Sequence, residues 1–317
     1  MFRIIFKTGQ KIGKRPSFLI KFIANNWVYF HPIAIFFKIK TDICRFYKAN
    51  SLILNDDSES MADLDILIVA AQKDFLKLPI VISQARKFVS QNEDNSIYIV
   101  VPRSQEQHEI LSNLRHYSYI EVIPEDKLVD TSAQDRIRET YPKRFGWILQ
   151  QLLKIEFVKN SRSRGVLVLD ADTILMRKRC WLTSNGNQIL TPTWENHKPY
   201  YDFLSEIGLD TGSIEFSFVP HHMLIQPARL NECLSYFGFQ NLDDLLHQIL
   251  QPKYLLENSP FSIDYEMYAQ FMIRFYPSEI SLEKWSNLQI DRSFHIELID
   301  KYLAKYQNDF ASLSFHN

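Results

Sequence analysis

Two aspartates one residue apart, Asp170 and Asp172, close the apolar run Val166-Leu167-Val168-Leu169. Like charges this close repel each other unless a cation sits between them. Carboxylate oxygens suit a hard divalent ion, Mg2+ or Mn2+. Such an ion would attract phosphate and stabilise charge on a departing diphosphate as a Lewis acid. On this reading Asp172 ligates the ion directly, and Asp170 reaches it through water or contacts the ligand. The plainer alternative is a strand-end turn whose aspartates cap the next segment.

Three further groups carry chemistry. Trp147, Gln151 and Lys154 stand at i, i+4 and i+7, one face of a helix. That stripe is either a solvated face or the wall of a donor site, with Lys154 or Arg144 touching phosphate. His221 and His222 follow an alternating segment. Neighbours on extended chain point to opposite sides, so the two do not easily share one metal. One of them hydrogen-bonds donor or acceptor, or both are structural. Asp264 and Glu266 lie near the start of an expected helix, where a carboxylate could take the proton of an attacking hydroxyl. Glu266 is preferred narrowly over Asp264, which could instead be an early-helix residue stabilised by the dipole.

Elements that would position these groups are legible as alternating patterns. Strands are expected over residues 64–70, 97–101, 119–123 and 166–169, and helices over 79–89, 105–114 and 145–157. Strand–helix alternation implies a mainly parallel sheet covered by helices. An apolar strand ending in the aspartates places them where α/β proteins bind ligands. Farther on, Ile214, Phe216 and Phe218 alternate with polar residues as a half-buried strand would. Helices are expected over 228–237, 242–250 and 262–275.

The chain has 317 residues, 46% hydrophobic and 23% charged, which is ordinary for a globular protein able to bury a full core. Aromatics reach 14%. A net charge of −1 gives no support to nucleic-acid binding. That balance hides an asymmetry: residues 1–50 hold ten Lys or Arg against Asp42, about +9, leaving about −10 on the remainder. This basic, aromatic segment either lies on an anionic membrane surface or packs as a solvated extension. Residues 1–60 are read as extension plus linker and 61–317 as the main domain. Cys44, Cys180 and Cys233 are odd in number and form no CxxC pair. A reducing cytoplasm is the simplest compartment, with peripheral contact on the inner face of the cell membrane open to residues 1–50. The stretch Gly9-Gln-Lys-Ile-Gly13-Lys14 misses the phosphate-loop pattern by one residue and lacks the following Ser or Thr. With only eight glycines, phosphate binding rests on metal and side chains.

The Leu169-Asp170-Ala171-Asp172-Thr173 stretch resembles the DxD signature of GT-A nucleotide-sugar glycosyltransferases. In combination with Lys73-Asp74, the Gly146-Trp147…Gln150-Gln151…Lys154 helix, Phe218-Val-Pro-His-His-Met223 and Asp264-Tyr265-Glu266, the chain resembles a bacterial family, domain of unknown function 6492, with GT-A-like features over about residues 63–297. The resemblance implies an α/β, GT-A-like (Rossmann-like) mainly parallel mixed sheet flanked by helices. The DxD likeness also implies a hexosyltransferase-like activity with a nucleoside-diphosphate-sugar donor. The acceptor expected is a hydroxyl of a cell-surface glycan or glycolipid precursor, which the family resemblance does not itself specify. The DxD likeness suggests that Asp170 contacts the ribose. Lys73, Asp74 and Arg103, in loops after the first two strands, would hold base and ribose; ordinary surface charge is the other reading. His295 is suggested as a third metal ligand beside Asp170 and Asp172. Two alternatives remain. One is a haloacid-dehalogenase-like phosphatase using the same pair, which also needs a later acidic pair such as Asp243-Asp244. The other is a non-catalytic glycan- or membrane-binding protein.

Overall fold

The computed structural model describes residues 52, 64–89, 96–193, 197–210, 216–256, 259–290 and 295–315. The expected extension and linker, apart from residue 52, lie outside them. In chain order come β1 (Leu64–Val69), α1 (Leu78–Phe88), β2 (Ile97–Val101), α2 (Glu109–Leu114), β3 (Ile120–Pro124), α3 (Thr131–Thr140), α4 (Phe145–Asn160) and β4 (Gly165–Leu169). After β4 come β5 (Thr173–Leu175), β6 (Gln188–Leu190), α5 (Lys198–Glu206), β7 (His222–Ile225), α6 (Pro227–Tyr236) and α7 (Leu242–Ile249). The last are α8 (Glu266–Phe275), β8 (Ile280–Leu282), β9 (Asn287–Ile290), α9 (Ile299–Tyr306) and β10 (Ser312–Phe315). All of them lie within one unit, Arg45–Asn317.

The central sheet has the order β3-β2-β1-β4-β7. Its first four strands run parallel, and β7 closes the edge antiparallel to β4. This is the mainly parallel mixed sheet flanked by helices that the alternation implied. The apolar run of β4 is buried on both faces, as a central parallel strand must be. Val166 and Val168 join a core with α4 and α8, while Leu167 and Leu169 join the core under α1. Carrying this alternation one step past Leu169 puts Asp170 on the α4 face. Two smaller sheets follow, β5-β10-β9 and β6-β8.

Helix ends follow local chemistry. Asp130 caps α3 by accepting from the Ala133 N–H at 2.8 Å, and Asn241 and Asp244 form a capping box on α7. Gly208 and Gly238, at φ +98° and +79°, end α5 and α6. In each case the next residue donates back to the helix, Leu209 to Leu204 and Phe239 to Leu234, both at 2.8 Å. Only a left-handed residue allows that closure.

The second half departs from expectation. No strand forms over the described part of 214–219: Ser217 makes a single bridge to Thr193, and the strand falls instead at His222–Ile225. Phe216 and Phe218 are buried, so their alternation reported burial and not ladder membership. All four β7 residues are buried, which removes the period-two signal from the strand itself.

Candidate active site

Asp170 and Asp172 occupy the turn from β4 into β5. The Thr173 N–H donates to the Asp170 carbonyl at 3.0 Å, closing the turn. The Asp170 N–H donates to the His221 carbonyl at 3.0 Å, one step beyond the β4–β7 ladder. The Asp172 carbonyl accepts from the Phe315 N–H of β10 at 3.1 Å. Two segments distant in sequence, one beside β7 and one in β10, therefore fix the backbone of an acidic turn that its own Thr173 closes.

The two carboxylates have opposite surroundings. Asp170 faces Lys154 Nζ at 3.4 Å, the Tyr265 hydroxyl at 3.3 Å and His221 Nδ1 at 3.5 Å. Burial opposes its charge, but Lys154 and then His221 outweigh burial and hold its carboxyl at about 2. Asp172 has no hydrogen-bond or ion-pair partner for its carboxylate among the described residues. Burial, then Asp170, push it up to about 6, against the pull of Lys77 and His221. A half-buried carboxylate left bare beside another is a site where a cation is stabilised.

The electrostatic neighbours of Asp172 include Lys77 and Asp74, from the turn after β1. They are paired at 2.7 Å, both buried. The site therefore spans the carboxyl ends of adjacent strands β1 and β4. Among the described residues no three His, Cys, Asp or Glu side chains are grouped to hold a metal. The expected trio of Asp170, Asp172 and His295 is thus not assembled; His295 is exposed, with Nδ1 3.3 Å from Glu297. The two aspartates alone still fit an ion such as Mg2+, which keeps several positions for water and phosphate.

The stripe on α4 meets one short segment of chain. Trp147 stacks on Phe261 at 5.8 Å, and Gln151 Oε1 accepts from the Ile263 N–H at 2.9 Å. Lys154 Nζ donates to Asp264 Oδ2 at 3.0 Å and lies 4.2 Å from the Tyr265 ring centre. One helical face thus meets five consecutive residues that lead through a turn into α8. Gln151 and Lys154 were expected to line the donor site, with Lys154 at phosphate; both are buried, and they hold the 261–265 segment in place. Burial works against the charge of Lys154, but Tyr265, Asp264 and Asp170 reverse that and keep it a cation well above the ordinary lysine range.

The expected general bases need correction. Glu266 has 0% exposure. Its Oε2 accepts from Ser217 Oγ at 2.9 Å and the Phe218 N–H at 2.8 Å, and its Oε1 from Gln270 at 2.7 Å. Burial raises its carboxyl above the usual range. With no open face it ties the 217–218 segment to α8 and reaches no substrate. Asp264 is also buried, with Lys154 on one oxygen and Ser262 Oγ and the Tyr265 N–H on the other.

His221 and His222 do point to opposite sides. His221 meets Asp170 and tilts against Trp285 at 6.1 Å. His222, expected at the acceptor, is 1% exposed. Its Nε2 lies 3.3 Å from Arg179, and its ring packs edge-on against Trp181. Arg179 is itself buried on Glu283 at 2.7 Å. Arg103 spans the ends of β2 and β3, contacting both oxygens of Asp126 at 3.0 Å. Lys73 is exposed beside buried Asp74. Asp243 pairs with Arg136 at 2.7 Å and Asp244 caps α7, so neither serves as a second acidic pair beside Asp170.

Tyr265, Lys77, Trp285 and Phe315 were missed as site residues. Lys77 had a signal, its i,i+3 spacing from Asp74. Trp285 and Phe315 had none, because long-range packing alone brings them in.

A family of unknown function (DUF6492) matches residues 64–207, less than half the chain. No curated protein matches. Among solved structures, an active-site mutant of LgtC aligns at 14% identity with a TM-score of 0.45, covering 80% of this chain and 87% of that one. Galactosyltransferase LgtC with donor and acceptor sugar analogues aligns at 13% identity and 0.44, with the same coverage. Mouse xyloside xylosyltransferase 1, apo form, aligns at 11% identity and 0.39, covering 80% and 97%.

Proposed function

We propose that this chain is a metal-dependent glycosyltransferase that moves a sugar from a nucleoside-diphosphate-sugar to a hydroxyl of a cell-surface polysaccharide or glycolipid precursor. The observation that carries the reading is the bare, half-buried carboxylate of Asp172 beside Asp170, at the carboxyl end of a central parallel strand. Asp172 would hold the ion, Mn2+ or Mg2+, with Asp170 adjacent. When bound, the ion supplies Lewis-acid stabilisation of the leaving diphosphate.

The chain's own residues divide the remaining work. Asp170, held by three donors, keeps acceptor capacity for a ribose hydroxyl. His221, with Nδ1 3.5 Å from Asp170, is the histidine of the pair that stands at the acidic turn and would meet the acceptor there. Lys73, exposed after β1, is available to donor phosphate. Residues 1–50 would place the enzyme on the inner face of the membrane, and co-sedimentation with anionic but not neutral vesicles tests that part separately.

The deciding experiment is a thermal-shift and turnover screen of nucleotide sugars with Mn2+. Wild-type protein should be stabilised by at least one donor, and only with metal present. Asp172→Ala should fold and lose that response. Equal nucleotide binding in Asp172→Ala would sink the reading.

A further inference from the structure

We propose that Lys154 is a positioning residue acting through Asp170, and that the bridge Asp264–Lys154–Asp170 is what sets the two aspartates of the turn to different tasks. The assignment rests on the reading of that turn as the donor site. Lys154 lies in the middle of α4 with its side chain 5% exposed, so its ammonium does not reach out to ligand. It contacts Asp264 Oδ2 at 3.0 Å on one side and Asp170 Oδ1 at 3.4 Å on the other. The Tyr265 hydroxyl meets the same Asp170 oxygen at 3.3 Å. His221 approaches the other oxygen. Asp264 is fixed in turn by Ser262 Oγ and the Tyr265 N–H. The chain of contacts ends on Asp170, and none of its groups hydrogen-bonds or ion-pairs with the Asp172 carboxylate, on which His221 acts only at longer range. A buried ammonium fixed by a buried carboxylate on one side presents its charge to the partly exposed Asp170 in one arrangement. Asp170 is therefore held in a single orientation, and Asp172, two residues on, is the carboxylate free to meet a ligand.

The test compares four proteins: wild type, Lys154→Met/Asp264→Asn, Asp170→Asn, and the triple variant. The paired substitution removes the bridge without leaving Asp264 charged and unmatched in the interior, and leaves partly exposed Asp170 to Tyr265 and His221. A crystal structure of the paired variant should show the Asp170 carboxylate turned away from its place beside His221. Mn2+-dependent donor turnover should fall about 100-fold, the scale of a small misplacement at a reacting centre. In the Asp170→Asn background the paired change should cause no further loss, because it acts through Asp170. If the paired variant does not fold, Tyr265→Phe, which deletes only the hydroxyl donated to Asp170, carries the same test. An unmoved Asp170, or losses that multiply in the triple variant, would overturn the proposal. If wild-type protein neither turns over nor binds any donor, the functional reading fails, and the position of Asp170 in the crystal still decides the role of Lys154.

Discussion

Phe315 donates its backbone N–H to the carbonyl of Asp172 at 3.1 Å, so the last described strand pins the acidic turn from a distance of 143 residues in the chain. β10 lies antiparallel to β5, which begins directly after Asp172. The side chain of Phe315 is buried in the core under α1. One residue thus couples packing on that face of the sheet to the geometry of the aspartates.

Phe315→Ala should cost about 3–5 kcal/mol by opening a cavity, while keeping the N–H that holds Asp172. Phe315→Pro removes the donor as well. Both should unfold at lower urea, but only the proline variant should lose Mn2+-dependent nucleotide binding at temperatures where both are folded. Equal binding by the two would show that the contact does not shape the site.

Glu266→Gln separates clamp from catalyst. An amide in place of the carboxylate turns one N–H toward a donor, from Ser217, Phe218 or Gln270, and should lower stability by about 1–3 kcal/mol. Turnover of the folded fraction should stay within a few-fold of wild type. A collapse of kcat with unchanged stability would restore Glu266 as the base.

Lys154 and Asp264 should show strong coupling in chemical denaturation. Lys154→Met alone leaves Asp264 buried without its cation and should cost about 3–5 kcal/mol. Adding Asp264→Asn should recover much of that loss. Additive losses across the four-protein cycle would mean that the pair contributes nothing jointly.

His222 gives a pH dependence with a defined sign. Burial first, then Arg179 and His221, hold its pKa well below the ordinary 6.5, against the weaker pull of Asp170. Folded, the ring stays neutral where the unfolded chain already takes a proton. Below 6.5 the unfolded state binds more protons, so stability falls as pH drops, by up to about 1.4 kcal/mol per pH unit. Above 6.5 neither state is protonated there and the contribution is complete. Urea denaturation at ~pH 7.5 and ~pH 5.5 should show a smaller acid loss in His222→Gln than in wild type. The same loss in both proteins would clear His222 of the effect.

Much of the first half of the domain was legible because it is built from local patterns. The four parallel strands and α4 follow from apolar runs and helical spacing, and Asp170-Ala171-Asp172 follows from a strand that can end only where a central strand ends. Even the stripe of Trp147, Gln151 and Lys154 was visible, since its spacing is set by one helix. Its partner was not visible, because the 261–265 segment has no periodicity that announces where it packs.

The sequence by itself determined the acidic turn, the parallel sheet behind it and the side of α4 that matters. Only the tertiary structure decided which carboxylate is held and which is bare. Asp170 and Asp172 are identical residues two positions apart, and no local property separates them. What separates them is a lysine on α4, a tyrosine before α8 and a histidine beside β7, brought to one aspartate and not to the other. Contacts between segments far apart in the chain leave no trace in local spacing, so Glu266 and His222 read as reactive in sequence and prove sealed in the fold.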